Sequence, residues 1–338
     1  MITPSDFLHL PYTPDLTEGG IAYAIRSLPY TYDRMGGSPY NRLRRIVAGV
    51  AVELAFRRHL SQQDIPYDVR GATPFTDPDR YDVALGGHRC DIKSFIISQR
   101  RQISALRTSP DLLLNAPALV PSDQHAAEGH RADDLYLFAF LTGLVAASQE
   151  DLSKAQGAGQ PVYLVHAMDR AWAKPATWQP LSPLTLKSES DQTLTVEICG
   201  QAAGREFLTR RLELPPRIRV KVEAPAEGRG NDFYAVSSIH VDRLPGARVG
   251  IHSPYLGEPY IIDPFAWGNI WFYGMSIVLT GYIPYEEFRQ KSSQIQPGSR
   301  VFQYNKTRTK NLAVPVADLK PLGRLFEQVK EWEAQRSE

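Results

Sequence analysis

Two cysteines, Cys90 and Cys199, cannot build a disulfide framework across 338 residues, nor can they complete a four-ligand zinc site by themselves. An excess of one charge is also missing. Lys and Arg number 38 against 37 Asp and Glu, a formal net charge of +1, so no global basic field coats nucleic acid indiscriminately and any such binding must come from local patches. Long apolar runs are lacking too: residues 135–147 and 270–279 are the longest, fall short of the roughly 20 needed to span a bilayer, and read as buried strands. The first six residues, Met1-Ile2-Thr3-Pro4-Ser5-Asp6, carry no basic leader. Walker A, GxGxxG, GxSxG and HExxH patterns are absent, which removes the usual ATPase, dinucleotide, hydrolase-elbow and zincin readings. A reducing cytoplasm and no membrane partner are expected.

What is present is globular: 43% hydrophobic and 22% charged residues, with 24 Gly and 26 Pro, on a chain long enough for two domains. A short helix is expected over 20–28. From 38 to 60 the spacing Leu43, Ile46, Val47, Val50, Leu54 is an amphipathic helical stripe, with Ser38 as N-cap and Pro39 at the first helical position. Short β-rich segments follow at 67–70, 80–85 and 89–97, the last two separated by Gly86-Gly87, a tight-hairpin signal. Residues 98–131 read as basic and then loop-like, and 134–141 as a central strand covered on both faces. Beyond 161–167 short strands broken by Pro and Gly continue to about 283, clearest at 193–198, 217–222, 234–241, 248–252 and 260–262; helical signals return at 284–291 and 316–335. This order predicts an α/β core with an appended β-rich domain ending in a helix, the boundary near 168–175, hence domains 1–170 and 171–338.

The chemistry concentrates at the hairpin. With Gly86 and Gly87 as its loop, cross-strand partners satisfy i + j = 173, which sets Leu85 against His88, Val83 against Cys90 and Asp82 against Asp91. Lys93 shares the face of the two carboxylates, while Tyr81, Val83, Leu85, Cys90 and Ile92 form the apolar face. Two opposed carboxylates destabilise a strand pair, and a hard divalent cation between them removes the penalty. Glu53, three residues past Val50 and seven past Ile46, lies near the helix's apolar stripe, where an acid needs a partner.

Glu53, Asp82 and the Asp91-Ile92-Lys93 element, followed by Ser94-Phe95-Ile96-Ile97, resemble the PD-(D/E)xK superfamily of restriction-endonuclease-like nucleases. The resemblance covers about residues 38–168, and Tyr81 stands where the motif has Pro before its first Asp. It implies an αβββαβ core and Mg²⁺- (or Mn²⁺-) dependent phosphodiester hydrolysis, with Asp82 and Asp91 as metal ligands, Glu53 completing the metal environment and Lys93 polarising water or phosphate. The expected partner is double-stranded DNA, in restriction or anti-phage defence, as a homodimer or as a nicking subunit beside other subunits of a phosphorothioate-linked defence system.

Basic residues bracket this face: Arg42, Arg44 and Arg45, then Arg57 and Arg58, then Arg100, Arg101 and Arg107. Of these, Arg44, Arg45, Arg100 and Arg101, with Arg210 and Arg211 from the later basic stretch that also holds Arg205, Arg217, Arg219 and Lys221, are the expected phosphate contacts. Arg300, Lys306, Arg308 and Lys310 alternate with Phe302 and Tyr304, a mixture able to stack bases and hold phosphates. Gln99 and Gln102 are weaker candidates for contacting DNA or water. Asp123, His125, Glu128 and His130 read as a surface loop rather than a zinc site, and Trp267, Trp271, Phe272 and Tyr273 as core. The rival reading is a non-catalytic nucleic-acid-binding or assembly protein whose hairpin charges are solvated decoration.

Overall fold

Helix α2 (Pro39–Gln62) begins at the proline that favours a first helical turn, in a computed structural model that describes residues 2–31, 39–69, 81–127, 129–145, 148–157, 163–222, 232–269 and 273–337. Ser38, Arg80, Glu128, Trp271 and Phe272 lie outside the described residues. Its buried face runs through Leu43, Val47, Ala48, Ala51, Val52, Ala55, Phe56 and Leu60, whereas Ile46, Val50 and Leu54 are half-buried. The stripe is therefore rotated from the expected one, because three alanines supply the close-packing face. Gly49 shows how near that face comes: a Cβ there would stand 3.7 Å from Ser94 Oγ.

The chain forms two compact units, each from separated stretches: Met1–Gly20, Ala48–Leu144 and Gly274–Glu338 in one, Ile21–Val47 and Val145–Tyr273 in the other. A single boundary near 168–175 differs from this division, since the C-terminal stretch belongs with the first unit. The other helices are α1 (Pro14–Thr31), α3 (Arg100–Thr108), α4 (Ser122–His125), α5 (Gln149–Gly157), α6 (Arg170–Ala173), α7 (Tyr285–Lys291) and α8 (Leu322–Ser337). No helix among the described residues is long and apolar enough to cross a membrane.

In the first unit a five-stranded sheet has the order β1-β15-β5-β3-β2, with β1 (Leu8–Leu10), β2 (Val83–Leu85), β3 (His88–Ile97), β5 (Leu135–Leu144) and β15 (Tyr273–Pro284). The apolar run at 135–144 is its central strand, buried along nearly its whole length and parallel to β3. Residues 98–131 are not loop-like: besides α3 and α4 they contain β4 (Pro117–Pro121), which joins β16 (Ser293–Ile295) and β17 (Asn311–Pro315) in a sheet of order β16-β17-β4. One aromatic core, with Phe95, Tyr136, Phe138, Phe140 and Phe288, lies within this unit. The strand expected at 67–70 reduces to an isolated bridge between Asp68 and Ala84 among the described residues.

The second unit holds two antiparallel sheets. One has the order β14-β6-β11-β8-β9, from β6 (Leu164–Ala167), β8 (Leu194–Gln201), β9 (Phe207–Leu214), β11 (Ala235–Val241) and β14 (Gly268–Asn269). The other, β10-β7-β12-β13, joins β7 (Thr185–Ser188), β10 (Arg219–Lys221), β12 (Val249–His252) and β13 (Tyr260–Ile262). Their inner faces share a core of Leu164, Leu186, Val196, Ile198, Ile239, Val249 and Trp267. The mixed α/β class holds for the chain as a whole.

Candidate active site

Gly86 and Gly87 both have positive φ, 55° and 87°, the backbone of a two-residue primed turn, and so set the hairpin register. Leu85 pairs with His88, Ala84 with Arg89 and Val83 with Cys90, as the loop position requires. At Asp82 the ladder departs from the expected opposition to Asp91. Its N–H donates to Cys90 O (3.0 Å), one residue out of register, and its carboxylate instead accepts the Ile92 N–H at 2.6 Å. Val83, Leu85, Cys90 and Ile92 are buried, leaving Asp91 and Lys93 on the other face of β3.

Four sequence-predicted residues meet here. Lys93 Nζ pairs with Asp91 Oδ2 at 2.6 Å, donates to Gln124 Oε1 at 2.9 Å and stands 6.0 Å from the Tyr136 ring centroid. Glu53 pairs with Arg57 at 3.6 Å, one helical turn on, and Arg57 also donates to the Asp82 carbonyl at 2.7 Å, tying α2 to the start of the hairpin. Glu53 and Asp91 side chains are each 26% exposed, open enough to meet a solute.

Burial first, then the Glu53 and Asp91 carboxylates, push the Asp82 carboxyl well above the usual carboxylate range; the Ile92 N–H and Lys93 pull the other way. Burial and the Asp91 charge likewise raise the Tyr136 phenol, and burial with the Asp82 charge raises the Cys90 thiol, which is no nucleophile. Two carboxylates, Glu53 and Asp91, thus bear on a buried third acid that Lys93 does not fully compensate.

Among the described residues no three His, Cys, Asp or Glu side chains stand grouped as ready-made metal ligands. Asp82, Asp91 and Glu53 are not closed around one point, because Glu53 turns to Arg57 and Asp91 to Lys93. Their chemistry fits Mg²⁺ or Mn²⁺ nonetheless: all three donors are hard oxygens, and a cation relieves the repulsion that raises Asp82.

The remaining candidates disperse. Arg100 and Arg101 are exposed at the start of α3 in the same unit as the carboxylates. Arg44, Arg45, Arg210 and Arg211 belong to the other unit. Arg44 is half-buried and donates to Asn269 O at 2.8 Å, an anchoring task within that unit; Arg45 is exposed; Arg211 lies opposite Glu197 on β8, and Arg210 donates to Thr209 O at 2.9 Å. Gln102 donates to Phe302 O at 2.7 Å rather than facing the site. Phe302 and Tyr304 pack against the aromatic core, so they are not stacking platforms. His125 is no surface-loop residue: it is buried in α4, 3.2 Å from the Tyr136 hydroxyl and stacked on Tyr285.

Two site residues escaped the sequence reading, and Arg57, read there as one of the bracketing cations, instead ties Glu53 to the Asp82 carbonyl. Gln124 and Tyr136 reach Lys93 only through tertiary packing, and Tyr136 is the parallel-register partner of Asp91. No known protein family, curated protein or solved structure matches this chain.

Proposed function

We propose that the protein is a Mg²⁺- or Mn²⁺-dependent DNA endonuclease of restriction-endonuclease type, with Asp82, Asp91, Glu53 and Lys93 as its working residues. The observation that carries this reading is the meeting of Glu53, Asp91 and Lys93 around the up-shifted Asp82 on a Gly-Gly hairpin. A helix, that hairpin, helix α3 and a strand parallel to the hairpin's second arm supply part of an αβββαβ core, whose first strand is here an isolated bridge at Asp68 among the described residues, and these parts support the reading.

In this reading Asp82 and Asp91, with Glu53, would hold the cation, which would supply Lewis acidity toward phosphate and water when bound. Arg57, bonded to the Asp82 carbonyl, keeps the first ligand in place. Lys93, held by Asp91 and Gln124 on the open side, donates to a non-bridging phosphate oxygen and stabilises the charge that grows there. Cytoplasmic restriction or anti-phage defence, and a nicking role in a phosphorothioate-linked system, rest on the resemblance alone. Cutting both strands would need two such sites, as in a homodimer.

The engagement of Glu53 by Arg57 and of Asp91 by Lys93 favours the second reading, a non-catalytic nucleic-acid-binding or assembly protein. Supercoiled plasmid incubated with Mg²⁺ or Mn²⁺ separates the two. Nicked or linear product, lost with EDTA and reduced at least about 100-fold in Asp91→Ala and Lys93→Ala at unchanged circular dichroism, is expected. No product from several DNA types, together with no calorimetric heat for either cation, would overturn the nuclease.

A further inference from the structure

Two segments distant in sequence are free of acid: residues 92–110 and 288–317 contain no Asp or Glu. The fold brings them together within the first unit. Gln102 of α3 donates to Phe302 O, Gln99 donates to Asn305 Oδ1 at 3.4 Å, and Phe95 meets Tyr304 edge-on at 6.4 Å. The connection between β16 and β17 is closed on itself by Gly298 N–H to Thr307 O (2.7 Å) and Thr307 N–H to Ser299 O (2.8 Å). Its aromatic residues face inward and its cations outward: Arg300, Lys306, Arg308 and Lys310 are exposed, as are Arg100, Arg101 and Arg107 of α3. Among the described residues Arg100, Arg101, Arg107, Arg300, Lys306 and Lys310 make no ion pair.

This ridge adjoins the carboxylate face twice. Gln99 lies six residues beyond Lys93 along an extended chain, and Ser122 of α4, the helix whose Gln124 holds Lys93, donates its N–H to Lys310 O at 3.0 Å. Lys93 and Gln99 are thus at most about 20 Å apart, a length spanned by up to about six phosphates of one DNA strand.

We propose that the β16–β17 connection and the exposed side of α3 form a docking surface for the phosphate backbone of duplex DNA, leading into the Lys93 face. A row of exposed cations answers a polyanion. The duplex is favoured over a single strand because Phe302 and Tyr304, the aromatics between the cations, are half-buried against the core, which takes up ring surface that base stacking would need. The inference rests on the nuclease reading for its partner, yet its test needs no cleavage.

The experiment is fluorescence anisotropy of a blunt 20-base-pair DNA duplex with the full chain in EDTA, across a salt series. The combined variant Arg300→Ala, Lys306→Ala, Arg308→Ala, Lys310→Ala is expected to weaken binding at least about 30-fold at 0.1 M salt and to flatten the log–log salt slope by about three. The control Lys187→Ala, Arg219→Ala, Lys221→Ala, which removes three cations from the other unit, is expected to stay within about threefold, and the single variant Lys306→Glu to weaken binding with an unchanged melting temperature. Unchanged affinity and slope in the four-residue variant, equal loss in the control, or tighter binding of single-stranded DNA or duplex RNA would overturn the proposal. If plasmid cleavage fails while this binding behaves as expected, the nuclease reading falls and the docking surface stands.

Discussion

Each unit builds a five-stranded sheet with a polar cluster beside it, and the two clusters handle charge differently. In the second unit His240 lies across from Glu197 and Ser238 across from Cys199. Ser238 Oγ stands 3.3 Å from His240 Nε2, Ser237 Oγ donates to Cys199 O at 3.0 Å, and Tyr163 lies 4.6 Å from the His240 ring. Burial keeps His240 and Cys199 neutral, pulling His240 down to about 3 and, with the Glu197 charge beside it, raising the Cys199 thiol. The first unit instead gathers Glu53, Asp82 and Asp91, and burial there lifts the one acid that its neighbours already repel. A buried cluster that serves the fold sheds its charge; one that accumulates like charge is arranged for something that binds it.

The largest effect expected from this contrast is acid sensitivity in the neutral cluster. Below about 6.5 the unfolded chain protonates His240, while the folded chain does so only near 3, so the unfolded state binds more protons over that window. Stability present above pH 6.5 is therefore lost as pH falls, at about 1.4 kcal/mol per pH unit, or about 3 kcal/mol by pH 4.5. His240→Leu removes this contribution, leaving those of the other histidines and the shifted carboxylates unchanged. Urea midpoints of both proteins between pH 7.5 and 4.5 measure it, and equal losses in the two would break the comparison.

A smaller effect separates packing from charge at the hairpin. A Cβ on Gly86 would come within 2.7 Å of the Trp332 ring, at a φ of 55° that L side chains rarely adopt. Gly86→Ala should cost about 2 kcal/mol, through strain and displacement of α8, while Mg²⁺ binding at the carboxylates is kept. Loss of binding with stability unchanged would mean that the turn positions Asp82 more directly than the ladder suggests.

The hairpin was legible because a two-residue glycine loop sets every partner out to Val83 and Cys90 by counting. Counting stops at Asp82, where the out-of-register N–H follows from a side-chain bond to Ile92 that no periodicity announces. The extent of α2 was readable and its buried face was not, since hydrophobic weight favours Ile46 and Val50 over the alanines that allow close approach. The discontinuous units were beyond reach: β15 joins β5 in the sheet across more than a hundred intervening residues, and strand periodicity carries no information on range. Likewise the cations of 300–310 were visible, but not that Tyr304 turns to Phe95.

The smallest effect is the sharpest test of the charged cluster. Because the folded Asp82 holds its proton to higher pH than the unfolded chain, the stability it allows is fully present below about 3.8 and falls as pH rises through its raised folded value. Asp82→Asn keeps an oxygen for the Ile92 N–H and removes the repelled charge. In EDTA at pH 7 it should be more stable than wild type by about 1 kcal/mol, about 2–4 °C in melting temperature, with the gap closing as pH falls toward 3.8. Millimolar Mg²⁺ should then raise the melting temperature of the wild type and not of the variant, reversing their order. If Asp82→Asn is instead the less stable protein at every pH without metal, the bond to Ile92 outweighs the repulsion, and the carboxylates belong with His240 as groups that serve the fold.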